Sequence, residues 1–419
     1  MDIKFTRTIP ANRSSEVIVA GGGIAGVCAA IAAARQGVRV ILIEQNAVTG
    51  GNATSGGVAA FCGETRGQGE VFDMIISSLE EWNAIAPYRP YDECEARIFD
   101  HEILAFILQE LLMRHNVKLL LHTKIADVTT SGRHIDNIII DGPSGLEAIS
   151  GKVFIDCTGE AVLAHRAGFA TVKGRPGDHA QLPMSMMFFI RHLQSGEKAP
   201  GMPDGWINKL TDDSELPMTS VWPNGPRSNA IKIKVPLGDS TDTDSFTEVE
   251  IRGRRRMMQV IDYYRSHKGK NWMLDHCSPV IGIREGRRVI GEYILNVDDL
   301  RNGRKFEDAI ARGVFYLDGH NPEDDKRTYI LPKDELKVPP YQIPLRSLIV
   351  RDSVNLLAAG RCLSADQLAL SSARVMTTCA MTGQAAGITA ANAIANKINI
   401  KEVNPLEIRE ELENKGAIL

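Results

Sequence analysis

The stretch from Glu16 to Glu44 limits what this chain can fold into more than any other. "EVIVA" (16–20) is a short apolar, β-branched run suited to a buried strand, and it enters Gly21-Gly22-Gly23-Ile24-Ala25-Gly26, a G-x-G-x-x-G turn. Gly21 permits the sharp exit from the strand, Gly23 lets the backbone approach a pyrophosphate, and Gly26 lets the next helix lie close to the strand. An Ala-rich helix is expected from about Ile24 to Gln36, with Gly37 as its stop. Its first N–H groups have no partner within the helix and would point at phosphate. "VRVILI" (38–43) then supplies a second strand ending at Glu44, the acid expected about 20 residues on for a ribose hydroxyl. A lone G-x-G-x-x-G is weak evidence, but strand, glycines, helix, strand and acid in this order specify a dinucleotide-binding α/β unit.

A second glycine-rich stretch follows directly. NAD would not require "TGGNATSGG" (49–57), whereas a longer dinucleotide lying over it would need close backbone approach and small hydroxyls. FAD is such a molecule, although Gly, Asn, Thr and Ser also build plain surface turns. Two later segments fit the same ligand. "KVFIDCTGEAVLAHRAG" (152–168) reads as strand, Thr158-Gly159, helix. "NLLAAGRCLSA" (355–365) is a strand meeting a glycine, followed by one long helix in "SSARVMTTCAMTGQAAGITAANAIA" (371–395). A helix N-terminus aimed at the pyrimidine end of a flavin favours the negative charge that reduction places there.

These segments, with "IGIREGRRVIGEYIL" and "YQIPLRSLI", resemble the FAD-dependent oxidoreductases of the glutathione-reductase-like two-dinucleotide fold, and within them the fumarate-reductase-like "FAD dependent oxidoreductase" group. The resemblance implies that Gly21, Gly23, Ile24, Ala25 and Gly26 form the pyrophosphate turn, and that Glu44 and Gln45 meet the adenosine ribose. It implies that Gly50, Gly51, Asn52 and Thr54 run along the flavin and that Ile125 offers backbone to adenine. Thr158 and Gly159 would form a further strand end at the dinucleotide, and Gly360, Arg361, Met376 and Thr377 would meet the ribityl chain and pyrimidine. Many relatives have an aspartate after the C-terminal glycine, where Arg361 stands here. No histidine precedes the second loop at the place where some relatives attach flavin, so the FAD is expected to be noncovalent.

The implied fold class is α/β: a Rossmann-like FAD-binding domain, discontinuous in sequence (1–170 and 341–419), with an inserted, mainly β substrate or cap domain (171–340). Residues 63–100 would add a helical piece to the cap. Within the insert, "AIKIKVPLG" and "FTEVEI" alternate like strands and "RRRMMQVIDYYRSH" reads as a helix.

FAD supplies hydride chemistry, so the protein must place a substrate carbon and a proton donor or acceptor. Arg284, Arg287 and Arg288 cluster in "GIREGRRVIGEY" and suit an anionic or polyhydroxylated substrate, or equally salt bridges to Glu285 and Glu292. Arg284 follows an apolar run and is expected to be the best buried. His179 and His320 lie in loops where a histidine could shuttle a proton or simply be exposed. Arg374 opens the flavin-facing helix, where a cation opposes the dipole unless an anion pairs with it. Cys62 and Cys362 either lie near the ring or are inert fillers.

Composition narrows the partners. With 43% hydrophobic and 24% charged residues and a net charge of −4, the chain reads as an ordinary globular protein with no call for nucleic acid. The Arg252–Arg256 cluster reads as a solvated face or an anion site. Seven scattered cysteines without a C-x-x-C pair point to reduced thiols and a cytoplasmic setting, with no metal site implied. No membrane partner is expected. A second strand-coupled G-x-G-x-x-G is missing, so electrons would come from a small-molecule substrate or a separate, unknown electron acceptor would take them. Homo-oligomer formation is left open. The expected activity is that of a dehydrogenase or reductase, with an O2-using oxidase or monooxygenase, or a non-catalytic FAD-binding subunit of a redox complex, as alternatives.

Overall fold

A computed structural model describes residues 6–419. Five parallel strands form its central sheet in the order Leu356–Ala358, Val153–Asp156, Val17–Ala20, Val40–Ile43, Lys118–Leu120. Four of the five are wholly buried runs of apolar residues (Asp156 apart), as a parallel sheet covered on both faces requires. The first helix, α1 (Ile24–Arg35), leaves the sheet at Gly23, and Gly37 follows its end with φ +84°. A three-stranded antiparallel meander (Lys124–Ser131, His134–Gly142, Gly145–Ser150) precedes the Val153–Asp156 strand.

The long late helix, Met376–Asn396, lies against α1 almost backbone to backbone. A Cβ on Gly383 would fall 2.1 Å from the Ala25 carbonyl oxygen, and one on Gly387 would fall 2.2 Å from that of Ala29. The single helix expected over 371–395 is two helices, Gln367–Ala373 and Met376–Asn396. The break comes at Val375, whose extended backbone (φ −64°, ψ 147°) starts the second helix afresh.

The insert builds an antiparallel sheet in the order Thr219–Pro223, Ser228–Val235, Met184–His192, Trp272–Cys277. One face, carrying Met186, Phe188, Ile231 and Ile233, packs on a 25-residue helix, Thr243–His267, through Val249, Met257 and Val260. "FTEVEI" therefore lies in a helix and not a strand. Asp242 caps that helix through Ser245 N, and Val249, Gly253, Met257 and Val260 then recur at helical spacing on its buried side.

The cap sheet's own core ends at Ile281. Leu295, Leu300, Ile310 and Leu317 pack instead in the core of α1 and the late helix, so the 171–340 insert is shared between two cores. The helix in 63–100, α2 (Glu70–Glu81), also buries Val71, Phe72, Ile75 and Leu79 in that main core. Its place is beside α1 and not over the cleft, because its apolar stripe matches that core. Among the described residues, no helix is long and apolar enough to cross a membrane.

Candidate active site

A cleft of about 370 Å³ opens where the parallel strands end, the position at which open α/β sheets hold ligands. The first glycine cluster shapes it by close approach. A Cβ on Gly26 would lie 1.9 Å from the Gly21 carbonyl oxygen, and one on Gly21 (φ +93°) would lie 2.5 Å from that of Cys157. Gly23 faces open space instead, and it pairs in parallel with Gly50 of the second cluster. The two glycine stretches are thus adjacent walls of one cleft.

Glu44 is buried at the rim of the second strand. Its Oε2 accepts from Gly22 N (2.7 Å), and Oε1 accepts from Asn46 N and Nδ2 (2.8 Å each). These bonds hold the carboxylate still while lone pairs remain for hydroxyl donors. Further along, buried Asp156 takes Thr158 N and Oγ1 on one oxygen and Leu163 N and Ala164 N on the other, fixing the Thr158-Gly159 turn. Arg361 crosses that turn, where a Cβ on Gly159 would meet its guanidinium at 2.3 Å, and it forms an ion pair with Glu160 at 2.7 Å. Glu160 therefore offsets the Arg361 charge beside this turn.

The residues expected at the cofactor line this cleft, from Gly21, Gly23, Ile24, Ala25, Glu44 and Gln45 through Gly50, Gly51, Asn52 and Ile125 to Thr158, Gly159, Gly360, Arg361 and Met376. Three do not. Gly26 acts through helix packing; Thr54 donates to the Thr49 carbonyl (2.7 Å) and Thr377 to that of Cys62 (2.9 Å), so both shape the wall from behind. Sequence reasoning missed Ser55, Val280, Ile283 and Arg166 as wall residues. The second loop also ties the cap to the cleft: Asn52 Nδ2 donates to the Ile283 carbonyl at 2.8 Å.

The cleft suits FAD by its donors as well as its shape. Neither α1 nor the late helix has a side-chain cap or an acid in its first turn, so both leave first-turn N–H groups for a ligand.

Arg374 belongs both to the cleft and to a buried cluster of polar side chains beside it, the substrate chamber of the reading below. Its guanidinium donates to Asp318 Oδ2 at 2.8 Å, which is the anionic partner its position called for. His320 Nε2 sits 3.1 Å from Asp318 Oδ1 and its ring stacks on Tyr329. Buried Arg284 donates to the Pro183 carbonyl at 2.5 Å, and Lys232 from the inner face of the cap sheet, together with Cys62, completes the group. Arg284, Arg374 and His320, expected from three distant stretches, are thus brought together; Asp318 and Lys232 were missed.

Electrostatics in the chamber is strongly coupled. Burial pushes Arg284 down to about 10, with Arg374 adding to the effect, and lowers Lys232 for the same reason with Arg284 beside it. Burial lowers His320 to about 4 despite the Asp318 hydrogen bond, so it is neutral at pH 7. For Asp318 burial pulls the other way, but the His320 hydrogen bond and the Arg374 charge prevail and hold it well below the usual carboxylate range. Burial raises the Cys62 thiol to about 11, which leaves it un-ionised.

The remaining candidates lie elsewhere. His179 is exposed in a loop with φ +59°, its carbonyl packed against Gly174, and it lies outside the chamber. Arg288 is more buried than Arg284 (3% against 6% exposed), contrary to expectation, but it is bound to Glu285 and to the Gly174 carbonyl. Glu285 in turn accepts from Leu182 N and Gln367 Nε2, so this is a structural knot. Arg287 lies in a short strand paired with Thr171–Lys173, near Glu160. Cys362 is a buried thiol against the Asp156 carbonyl. In the Arg252–Arg256 cluster, Arg254 pairs with Glu250 and Arg256 with Asp325.

A model of the family described as FAD dependent oxidoreductase matches residues 16–412. The chain belongs to that family. It is a flavin enzyme, and FAD is its cofactor. A 69-residue stretch is 39% identical to cinnamate reductase of Clostridium sporogenes, covering 16% of this chain and 10% of that protein. The chain thus matches a tenth of that curated relative's length. Among solved structures, a geranylgeranyl bacteriochlorophyll reductase-like protein from Thermoplasma acidophilum is similar at TM-score 0.50 and 12% identity, over 96% of this chain and 85% of that one. The aromatic hydroxylase CabE, from angucycline biosynthesis, is similar at TM-score 0.50 and 17% identity, over 96% and 66%. Both likenesses are of fold, and they agree with a Rossmann-like flavoprotein carrying an inserted domain.

Proposed function

We propose that this FAD-dependent oxidoreductase acts as a dehydrogenase or reductase on a small substrate carrying a carboxylate, held in the chamber between the cap and the FAD half. The observation that carries the reading is charge. Arg284, Arg374 and Lys232 gather about the Asp318 carboxylate, Glu95 is the other acid acting on the same Cys62, and His320 is neutral, so positive groups outnumber negative ones there. A polyhydroxylated neutral substrate would need acceptors as well as donors, and the chamber offers mostly donors.

FAD supplies the two-electron hydride step when bound, with the acceptor or donor of those electrons a separate molecule. The chain's own residues do the rest. Arg284 and Arg374 present forked donors that orient a carboxylate in two contacts, and burial of Arg284 removes the competing water. Asp318 fixes Arg374 from behind. His320, uncharged and with Nδ1 free of any hydrogen-bond partner among the described residues, is the group that accepts or returns a proton. The name of the curated relative, cinnamate reductase, is that of an enzyme for a carboxylate and supports the same class. His179, Arg287 and Arg288 have no part in this reading.

The test is anaerobic incubation of the FAD-loaded protein with a panel of small carboxylates and their amides, in oxidised and chemically reduced forms, followed by visible absorption. Reduction or reoxidation of the flavin by a carboxylate and not by its amide supports the reading. Equal reaction of the amides, or substrate-dependent O2 uptake as fast as flavin turnover, sinks it in favour of a neutral substrate or an oxidase.

A further inference from the structure

Where α3 (His101–Arg114) meets the cap, a second group of ligating side chains stands apart from the chamber. His101 and Glu102 open α3, and His276 lies on the cap's edge strand Trp272–Cys277. One nitrogen from each histidine and one Glu102 oxygen all fall within 4.8 Å of one another. We infer that His101, Glu102 and His276 form a site for one divalent transition ion of the Zn2+ type, which clamps the cap to the FAD half.

The ring geometry leaves room for an ion between the two imidazoles. Phe189 stacks on His101 (centroids 4.6 Å apart, 11° between planes) and on His276 (4.4 Å, 13°), while the two imidazoles are 5.5 Å apart and 24° from parallel. Rings on opposite faces of Phe189 would be ~7 Å apart or more, given layers ~3.5 Å thick. Both imidazoles therefore lie side by side over one face, edge to edge. With a nitrogen of each ring turned to a shared ion at ~2.0–2.1 Å, the ion would sit ~3.2 Å from each ring centre and the observed spacing would subtend about 118°, compatible with a tetrahedral site.

Two further observations point to a ligand. His101 is 6% exposed, its Nδ1 has no hydrogen-bond partner among the described residues, and its Nε2 lies 3.4 Å from Glu102 Oε1. A buried imidazole is seldom left so poorly engaged. His276 Nδ1 is held by Asp275 Oδ2 at 3.0 Å, the carboxylate–histidine arrangement that turns the other nitrogen toward a metal. Asp100 fixes the first turn of α3 by accepting from Glu102 N and Ile103 N. The charged groups facing His101 are Glu102, Asp100 and His276, with no lysine or arginine among them. Water would fill the fourth position, since Glu102 and His276 reach solvent.

The experiment is a calorimetric titration of the FAD-loaded full-length protein with Zn2+ alone, beside metal content after dialysis and thermal unfolding with and without Zn2+. The expected result is one Zn2+ per chain with a raised melting temperature. His276→Ala removes a half-exposed side chain and should weaken binding at least 100-fold and abolish the melting shift. Glu102→Gln, also exposed, should weaken it about 10–100-fold. Absence of binding to the unaltered protein, or binding that His276→Ala leaves unchanged because cysteines hold the ion, overturns the assignment.

Discussion

The FAD cleft and the substrate chamber meet at Arg374 but are built in opposite ways. The cleft is made of backbone: glycines that would clash with a neighbour if they had a Cβ, and helix ends that no side chain caps. The substrate region is made of buried charge: Arg284, Arg374, Lys232 and Asp318, none within thirty residues of another. A backbone site demands particular residues at fixed spacing, while a side-chain site demands only that the fold bring the right groups together. The first can be read whole along the chain, while of the second only single members can.

The largest expected effect is on the backbone side. Gly26→Ala places a methyl 1.9 Å from the Gly21 carbonyl oxygen, so α1 must move away from the strand. The variant should purify without flavin and lose more than about 3 kcal/mol of stability, as checked by absorbance and denaturant unfolding. Retention of FAD would show that the close helix approach is not needed for the cofactor.

Next comes a change confined to the chamber. Arg284→Met should keep its full FAD content while kcat/KM for a carboxylate falls by roughly 10²–10³, about 3–4 kcal/mol, as expected for removing one buried charged partner. If flavin is lost in parallel, the two regions are not separable as described.

A third prediction concerns pH. The His320 value is lowered on folding from the ordinary 6.5 to about 4, so between those values the unfolded chain binds the extra proton. Its contribution is therefore fully present above pH 6.5 and is lost as pH falls toward 4, roughly 3 kcal/mol in all by linkage. Denaturant unfolding at pH 7 and pH 4.5 should show a smaller difference in His320→Gln than in the unaltered protein. An identical pH dependence would mean that the imidazole is not held neutral. The smallest effect is at the exposed histidine: His179→Ala should leave kcat/KM within about twofold and stability within about 0.5 kcal/mol. A larger loss would return that loop to the site.

What the sequence could convey follows the same division. Gly21, Gly23 and Glu44 were legible because strand, turn, helix and acid follow one another within thirty residues, each with its own physical reason. Thr54 and Thr377 belonged to the right segments, but only packing shows that their hydroxyls turn to backbone carbonyls. Asp318 was invisible as a partner of Arg374 because 56 residues separate them, although "DGHNPED" places it two positions before His320. Lys232 had a readable signal: in "AIKIKV" it alternates against Ile231 and Ile233, which face the cap helix, so it must face the other way. "FTEVEI" misled because two periods share its apolar positions, and the cap at Asp242 decides between them.

The most direct test of the central claim is a binding titration that needs no turnover. Small carboxylates and their amides are added to the oxidised, FAD-loaded protein, and the perturbation of the visible flavin band is followed in the unaltered chain and in Arg284→Met. The account predicts a saturable spectral change with a carboxylate, at least tenfold weaker binding of its amide, and loss of that preference in Arg284→Met. Equal binding of acid and amide, or a preference that survives in Arg284→Met, would contradict it.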